Sequence, residues 1–273
     1  VLKKRPNTDM KLNRKTAKGC RRIRRSQEKE IIMKPEIKKR LEMIRRGEVP
    51  AGYKKTKVGI IPEEWEIEKL VNEVRFNGGN AFDSEDNAKS GIKWLKISNV
   101  GIGNTKWDEI SYLPIEYQKR YNQYLLSEGD IVMALTRPIL NNKLKICQLR
   151  KTDVPALLNQ RVAKLEKIKN IDLKYFYFIA QMKKFVDNLN KIISGSDPPN
   201  IGNNELNNVV IAMPVKNDQS SIVKILSMWD QAIEKQEKLI ELKKEQKKGL
   251  AHKLLTGKIR LANFKGKWQN KSL

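Results

Sequence analysis

Asp197, Pro198, Pro199 and Asn200 stand in a row, one residue short of the acid-proline-proline-tyrosine run that amino-methyltransferases set against adenine or cytosine. The chemistry of such a run is specific. Its acidic or amide side chain and the following carbonyl accept hydrogen bonds from the target amino group, while the final aromatic stacks on the extruded base. Here Asn200 stands where the aromatic should be, so the stacking surface is missing. Binding S-adenosylmethionine would further require a strand that ends in a glycine-rich turn and opens a helix. The nearest stretches, "RFNGGNAF" and "NVGIGN", have neither that spacing nor a following helix. The tetrapeptide is therefore read as a loop leaving a helix expected over residues 172–193, its exit stiffened by two prolines.

Other catalytic chemistries lack parts. The chain has one histidine, His252, read as a solvated helix residue, so histidine-based metal sites and Ser-His-Asp triads cannot be assembled. Its two cysteines, Cys20 and Cys147, are far apart, which argues against a zinc ribbon or a disulfide framework and for a reducing compartment. No catalytic residue, metal site or cofactor is expected in this chain. No apolar run approaches the roughly 20 residues of a membrane span, and no apolar signal core precedes the first helix, so a cytoplasmic protein is expected.

Charge points to the partner instead. Lys and Arg number 56 against 31 Asp and Glu, a net charge of +25 that favours a polyanion, nucleic acid before membrane. The excess is concentrated at the ends: residues 1–32 carry 12 basic and 3 acidic groups, and residues 216–273 carry 14 and 6. Residues 53–215 hold 24 against 19, so a nucleic-acid surface there must be a patch. Reading base edges requires amides and guanidinium groups at loop tips. Three loops qualify: "NGGNAFDS" with Asn80, "TRPILNNK" with Arg137, Asn141, Asn142 and Lys143, and "SGSDPPNIGNN" with Ser196, Asn200 and Asn203. Lys96 and Arg161 are candidates for phosphate contacts. The plain alternative is that these are ordinary surface turns.

The elements that must position these loops follow from periodicity. Residues 1–32 have almost no apolar pattern and read as a disordered basic arm, or as sequence upstream of a start at Met33. Residues 33–52 form a short helix and linker, with Ile37, Leu41 and Ile44 on one face and Gly47 and Pro50 as stops. From residue 53 to 215, β-prone runs ("IKWLKISNV", "GDIVMALTR", "KLKICQLR", "RVAKLEKI", "NVVIAMPV") alternate with Gly, Asn and Pro turns. The expected class is α+β, a mixed α/β domain, with the Phe and Tyr cluster around Phe176 and Tyr177 in its core and Trp65 as a packing anchor.

Residues 216–257 then read as one long helix capped by Asn217 or Asp218 and closed near Gly257, with residues 258–273 as a tail. Its exposed face offers the pairs Glu234 with Lys238, Glu241 with Lys244, and Glu245 with Lys248. A heptad frame through Leu226, Trp229, Ile233, Gln236, Ile240, Lys243, Lys247, Leu250 and Leu254 is apolar at six of nine positions. The polar middle is unlike a self-sufficient zipper and suits a helix that meets more than one partner. Folding back on its own domain is the other solution.

Several stretches in order, "GYKKTKVGIIPEEWEIEKL", "WLKISNV", "LSEGDIVMALTR", "LLNQRVAKL", "ISGSDPPNIGNNELNNVVIAMP" and "IVKILSMWDQAIEKQEKLIELKKEQKKGLAHKLLTGKIRL", resemble the specificity subunits of type I restriction-modification systems over about residues 50–262. The resemblance implies a target-recognition domain that reads double-stranded DNA at residues 53–215. It also implies a spacer helix for dimerisation and for docking of a separate methyltransferase subunit, with a restriction subunit as a further partner. S-adenosylmethionine would belong to that methyltransferase. Members of the family commonly have two recognition domains and two spacers, whereas this chain has one of each. Two copies could restore the arrangement as a homodimer, with Leu226, Trp229, Ile233, Ile240, Leu250 and Leu254 at the contact. A truncated product is the other possibility, and outside the family a basic RNA-binding protein or a coiled-coil adaptor would share the charge or the helix.

Overall fold

Strand β8 (Ile131–Ala134) shows how the fold is layered, because all four of its residues are buried. Side chains alternate across a strand. Ile131 and Met133 accordingly join one core, with Leu165, Ile146 and the helical Phe176. Val132 and Ala134 join another, with Leu95, Leu126, Cys147 and Leu158. Helices cover one face of this sheet and a second sheet covers the other. The computed structural model describes residues 34–193, 198–261 and 266.

The chain divides between Glu63 and Glu64. The described part of the first unit holds helix α1 (Pro35–Arg45) and the hairpin of β1 (Tyr53–Thr56) and β2 (Gly59–Pro62). Helix α1 begins on Pro35, where a missing N–H costs nothing, and stops before Gly47, whose φ of 79° suits glycine. Arg40 donates to the Tyr53 hydroxyl and lies over its ring. The hairpin thus belongs to the N-terminal unit of this division. The expectation for residues 1–32 lies outside the described residues.

In the second unit the first sheet has the order β11 (Ile146–Gln148), β8, β13 (Val162–Lys167), β4 (Val74–Gly78), all antiparallel. The second has the order β6 (Tyr112–Leu113), β5 (Ile92–Leu95), β12 (Ala156–Leu158), β7 (Leu125–Leu126). Within it β5 and β12 run parallel, the one parallel pair of strands among the described residues. A cofactor-binding parallel β-α-β sheet is therefore not the architecture of this unit. Strand β14 (Val210–Met213) pairs with β3 (Glu66–Lys69), returning the chain to where the unit began. All five runs read as β-prone contain strands. Short helices α2 (Leu70–Glu73) and α3 (Tyr117–Arg120) fill connections, and Phe82, Trp94, Tyr117 and Tyr121 pack edge-to-face around the loop that follows Asn80.

The expected helix over residues 172–193 is two helices, α4 (Leu173–Ala180) and α5 (Lys183–Ile193). The break has a simple cause. A continuous helix carrying Phe176 and Ala180 on its core face would turn Lys183, Lys184 and Asp187 onto that face as well. Bonds from Gln181 N to the Phe178 carbonyl and from Met182 N to the Ile179 carbonyl tighten the turn instead, and the second helix starts in a phase that buries Val186, Leu189 and Ile193. Tyr175, Phe176 and Tyr177 are buried, so the aromatic cluster is core. Burial of side chains such as Phe176 stabilises the unit by about 1.5–3 kcal/mol each.

After α6 (Asn203–Asn207) and β14 comes α7 (Lys216–Leu255), 40 residues and about 60 Å long. Its cap position is Val215, with no side-chain cap, so neither Asn217 nor Asp218 caps it. Asp218 is engaged elsewhere, because its carboxylate accepts from Trp65 Nε1 at 3.1 Å, which makes Trp65 the anchor expected. The helix closes at Thr256 and Gly257, whose φ is 71°.

Candidate nucleic-acid interface

Strand β12 ends at Leu158, β13 starts at Val162, and the three residues between them are tied down on every side. Asn159 N donates to the Leu95 carbonyl at 3.1 Å, Gln160 N to the Asn80 carbonyl at 3.0 Å, and Val162 N to the Asn159 carbonyl at 3.0 Å. Arg161 N donates to Oδ1 of Asn159 at 3.0 Å, so that side chain closes the turn from inside. Asn80 N in turn donates to the Leu158 carbonyl at 3.0 Å. Gly79 makes this approach possible: a Cβ there would lie 2.0 Å from the Leu158 carbonyl oxygen.

The same edge continues through the segment after β8. Leu135 N donates to the Arg161 carbonyl at 2.9 Å, Ile201 N to the Leu135 carbonyl at 2.8 Å, and Arg137 N to the Pro199 carbonyl at 2.8 Å. Thr136 Oγ1 donates to Asn200 Oδ1 at 3.0 Å. The second proline of the methyltransferase-like run, Pro199, thus serves as backbone acceptor for Arg137. Arg137 itself holds a φ of 46°, a strained conformation for a residue with a Cβ. Beyond Pro138, β9 (Ile139–Leu140) and β10 (Lys143–Leu144) form a hairpin closed by Asn141 and Asn142, with φ of 51° and 56°. Asparagine tolerates the left-handed region that a two-residue hairpin turn demands, which explains the paired Asn residues.

Asn80, Arg137, Arg161 and Asn200, drawn from four separate stretches of sequence, are therefore neighbours on one edge. The hairpin carrying Asn141, Asn142 and Lys143 is rooted there through the bond from Lys145 N to the Pro138 carbonyl. Lys96 follows Leu95, whose carbonyl holds Asn159, but its ammonium is engaged, 2.9 Å from Ser111 Oγ and 3.8 Å from the centre of the Trp94 ring. Burial pulls the Lys96 pKa below its ordinary value. Asn203 opens α6 at the far end of the same loop. Ser196 lies outside the described residues. The charged side chains of residues 79–80, 136–144, 159–161 and 199–201 are Arg137, Lys143 and Arg161, all basic and all exposed. Sequence reasoning passed over Gln160 and Thr136; the run of Asn, Gln and Arg between two apolar stretches in "LLNQRVAKL" was the available signal for Gln160.

The second candidate surface lies on α7. Its first turns are bolted to the domain by Gln219, which is 2% exposed: Oε1 accepts from Asp172 N at 2.8 Å and Nε2 donates to the Pro214 carbonyl at 2.9 Å. Ile222 and Val223 complete that contact. Farther along, apolar residues lose their cover. Trp229 is 60% exposed, Ile233 54%, Ile240 52% and Leu250 50%, while Leu226 is marginal and Leu254 half-buried. Trp229, expected between helices, is thus open to solvent in the single chain. The first half of the helix runs beside its own domain, with Asp230, Ile233 and Glu234 lining a groove shared with Tyr177, Phe178 and Arg150. Of the expected ion pairs, Lys244 and Glu241 meet at 2.7 Å, whereas Glu234 pairs with Arg150 at 3.4 Å and not with Lys238.

Against this geometry, the model of the type I restriction modification DNA specificity domain matches residues 62–244, and the chain belongs to that family. It is 38% identical over 214 residues to the type I restriction enzyme MjaVIII specificity subunit of Methanocaldococcus jannaschii, covering 78% of this chain and 50% of that one. To the EcoAI specificity subunit of Escherichia coli it is 31% identical over 201 residues, covering 73% and 34%. A crystal structure of the type I restriction-modification S subunit from M. genitalium overlaps 69% of this chain and 45% of that one, with a TM-score of 0.47 and 18% identity. The chain thus spans half, or less, of the relatives' length. Its kinship is with specificity components and not with the catalytic ones.

Proposed function

We propose that the chain is a sequence-specific double-stranded DNA recognition subunit that directs a separate adenine methyltransferase, and in a complete complex a nuclease, to a bipartite site. The observation that carries this reading is the edge on which Asn80, Arg137, Arg161 and Asn200 converge by backbone hydrogen bonds. Amide and guanidinium groups match base-edge donors and acceptors, and an all-basic charge set suits phosphates on either side. The uncovered stripe of Trp229, Ile233, Ile240 and Leu250, with Leu226 and Leu254, supports a homodimer through the spacer helices. The stripe's interruption by Gln236, Lys243 and Lys247 supports a methyltransferase docked on the same helices. S-adenosylmethionine is bound by that partner, and the cytoplasm is the working compartment.

Competition among random-sequence duplex DNA, single-stranded DNA and RNA tests the reading. Duplex DNA should compete best, with a marked salt dependence. Preference for RNA would favour a basic RNA-binding protein, and failure to co-purify any methyltransferase from native cells would remove the docking role.

A further inference from the structure

The turn at residues 159–161 combines two properties seldom found together on a surface. Its backbone is fixed: the N–H groups of Asn159, Gln160, Arg161 and Val162 all donate to protein acceptors, and the Asn80 segment is clamped across it by a glycine that no other residue could replace without a clash. Yet the Gln160 and Arg161 side chains are exposed and have no hydrogen-bond partner among the described residues. Asn159 offers a ligand no free donor-acceptor pair, because its Oδ1 closes the turn and only its Nδ2 donors remain. Gln160 therefore has a rooted base and a free head carrying both a donor and an acceptor. Bidentate discrimination depends on such a root, since displacement of the amide by a fraction of an ångström misaligns both bonds.

On the reading that this edge binds duplex DNA, we infer that Gln160 is a specificity-determining residue that reads one A·T pair of the site. Its Oε1 accepts from the adenine N6 amino group and its Nε2 donates to N7. Arg161, one residue along the same turn, supplies charge to a neighbouring phosphate.

The test is competition binding of the wild-type chain and of Gln160→Ala, Gln160→Glu and Arg161→Ala against the preferred duplex and its single-base-pair variants. Wild type should discriminate against replacement of one A·T pair by about five- to a hundredfold. Gln160→Ala should lose that discrimination at this one position and keep it elsewhere. Gln160→Glu should shift the preference at the same position toward C·G, because a carboxylate accepts from the cytosine N4 amino group. Arg161→Ala should weaken all duplexes alike. Unchanged discrimination in Gln160→Ala, or an equal loss at every position, would overturn the inference while leaving DNA recognition by this edge in place. A wild-type chain with no preferred duplex would instead remove the parent reading.

Discussion

Arg137 is the residue whose backbone states a requirement most plainly. A φ of 46° is held by the bond to the Pro199 carbonyl, and its guanidinium is exposed and unpaired among the described residues. Arg137→Ala should weaken binding to the preferred duplex by about 1–3 kcal/mol if the contact is bidentate to guanine. Equal losses on preferred and scrambled duplexes in an electrophoretic assay would make it a phosphate clamp. Cys147 behaves oppositely, since burial pushes its thiol from an ordinary 9.0 to about 12. The folded state then keeps its proton where the unfolded chain loses it, so this contribution is complete below pH 9.0 and fades as pH rises toward about 12. Buried Tyr175 and Tyr177, also pushed upward, act in the same direction. The melting midpoint should fall steadily above pH 9.0, with Cys147 unalkylated in the native protein at neutral pH; ready alkylation would refute the burial. Polar loop residues were legible from type and setting alone. Their convergence was not, because it depends on strand order and on the close approach at Gly79. Gln160 was overlooked because two apolar runs around it read as strands and the turn between them as punctuation.

Elements with a sustained apolar run or a single repeat were the readable ones. The strand at "GDIVMALTR" follows from a continuous apolar run, "RVAKLEKI" from near-alternation, and the long helix from helical spacing. The break at Gln181 and Met182 escaped notice because residues 172–193 contain enough apolar side chains to satisfy an unbroken helix loosely, and only core geometry selects the rephased pair. The two- and three-residue strands β7 and β12 lie outside the runs read as β-prone, because so short a stretch carries little periodicity. Gln219 decides how the spacer leaves the domain. Gln219→Ala strips a partner from Asp172 N and from the Pro214 carbonyl and should destabilise the unit by about 1–3 kcal/mol in denaturant melts. An unchanged midpoint would mean that packing of Ile222 and Val223 alone sets the helix. On the exposed stripe, Ile233→Glu combined with Ile240→Glu should leave folding intact, since both side chains are more than half exposed. Sedimentation velocity should then find a monomer that has lost high-affinity binding to a two-block site; a persistent dimer would relocate the contact.

At the scale of the molecule, the proposed function makes one recognition domain with one spacer a reader of a single block, and on that proposal two-fold pairing of spacers would make a reader of two. Half-sites on one face of B-DNA recur about every 34 Å, a distance that a helix of 40 residues, about 60 Å long, can hold open. Symmetry then requires that the two blocks be inverted repeats, with unread bases between them. The most direct measurement is enrichment of duplexes from a random pool by the purified wild-type chain, followed by sequencing. The account predicts two short inverted blocks separated by a fixed number of unselected base pairs. A pool with no enriched sequence would contradict it.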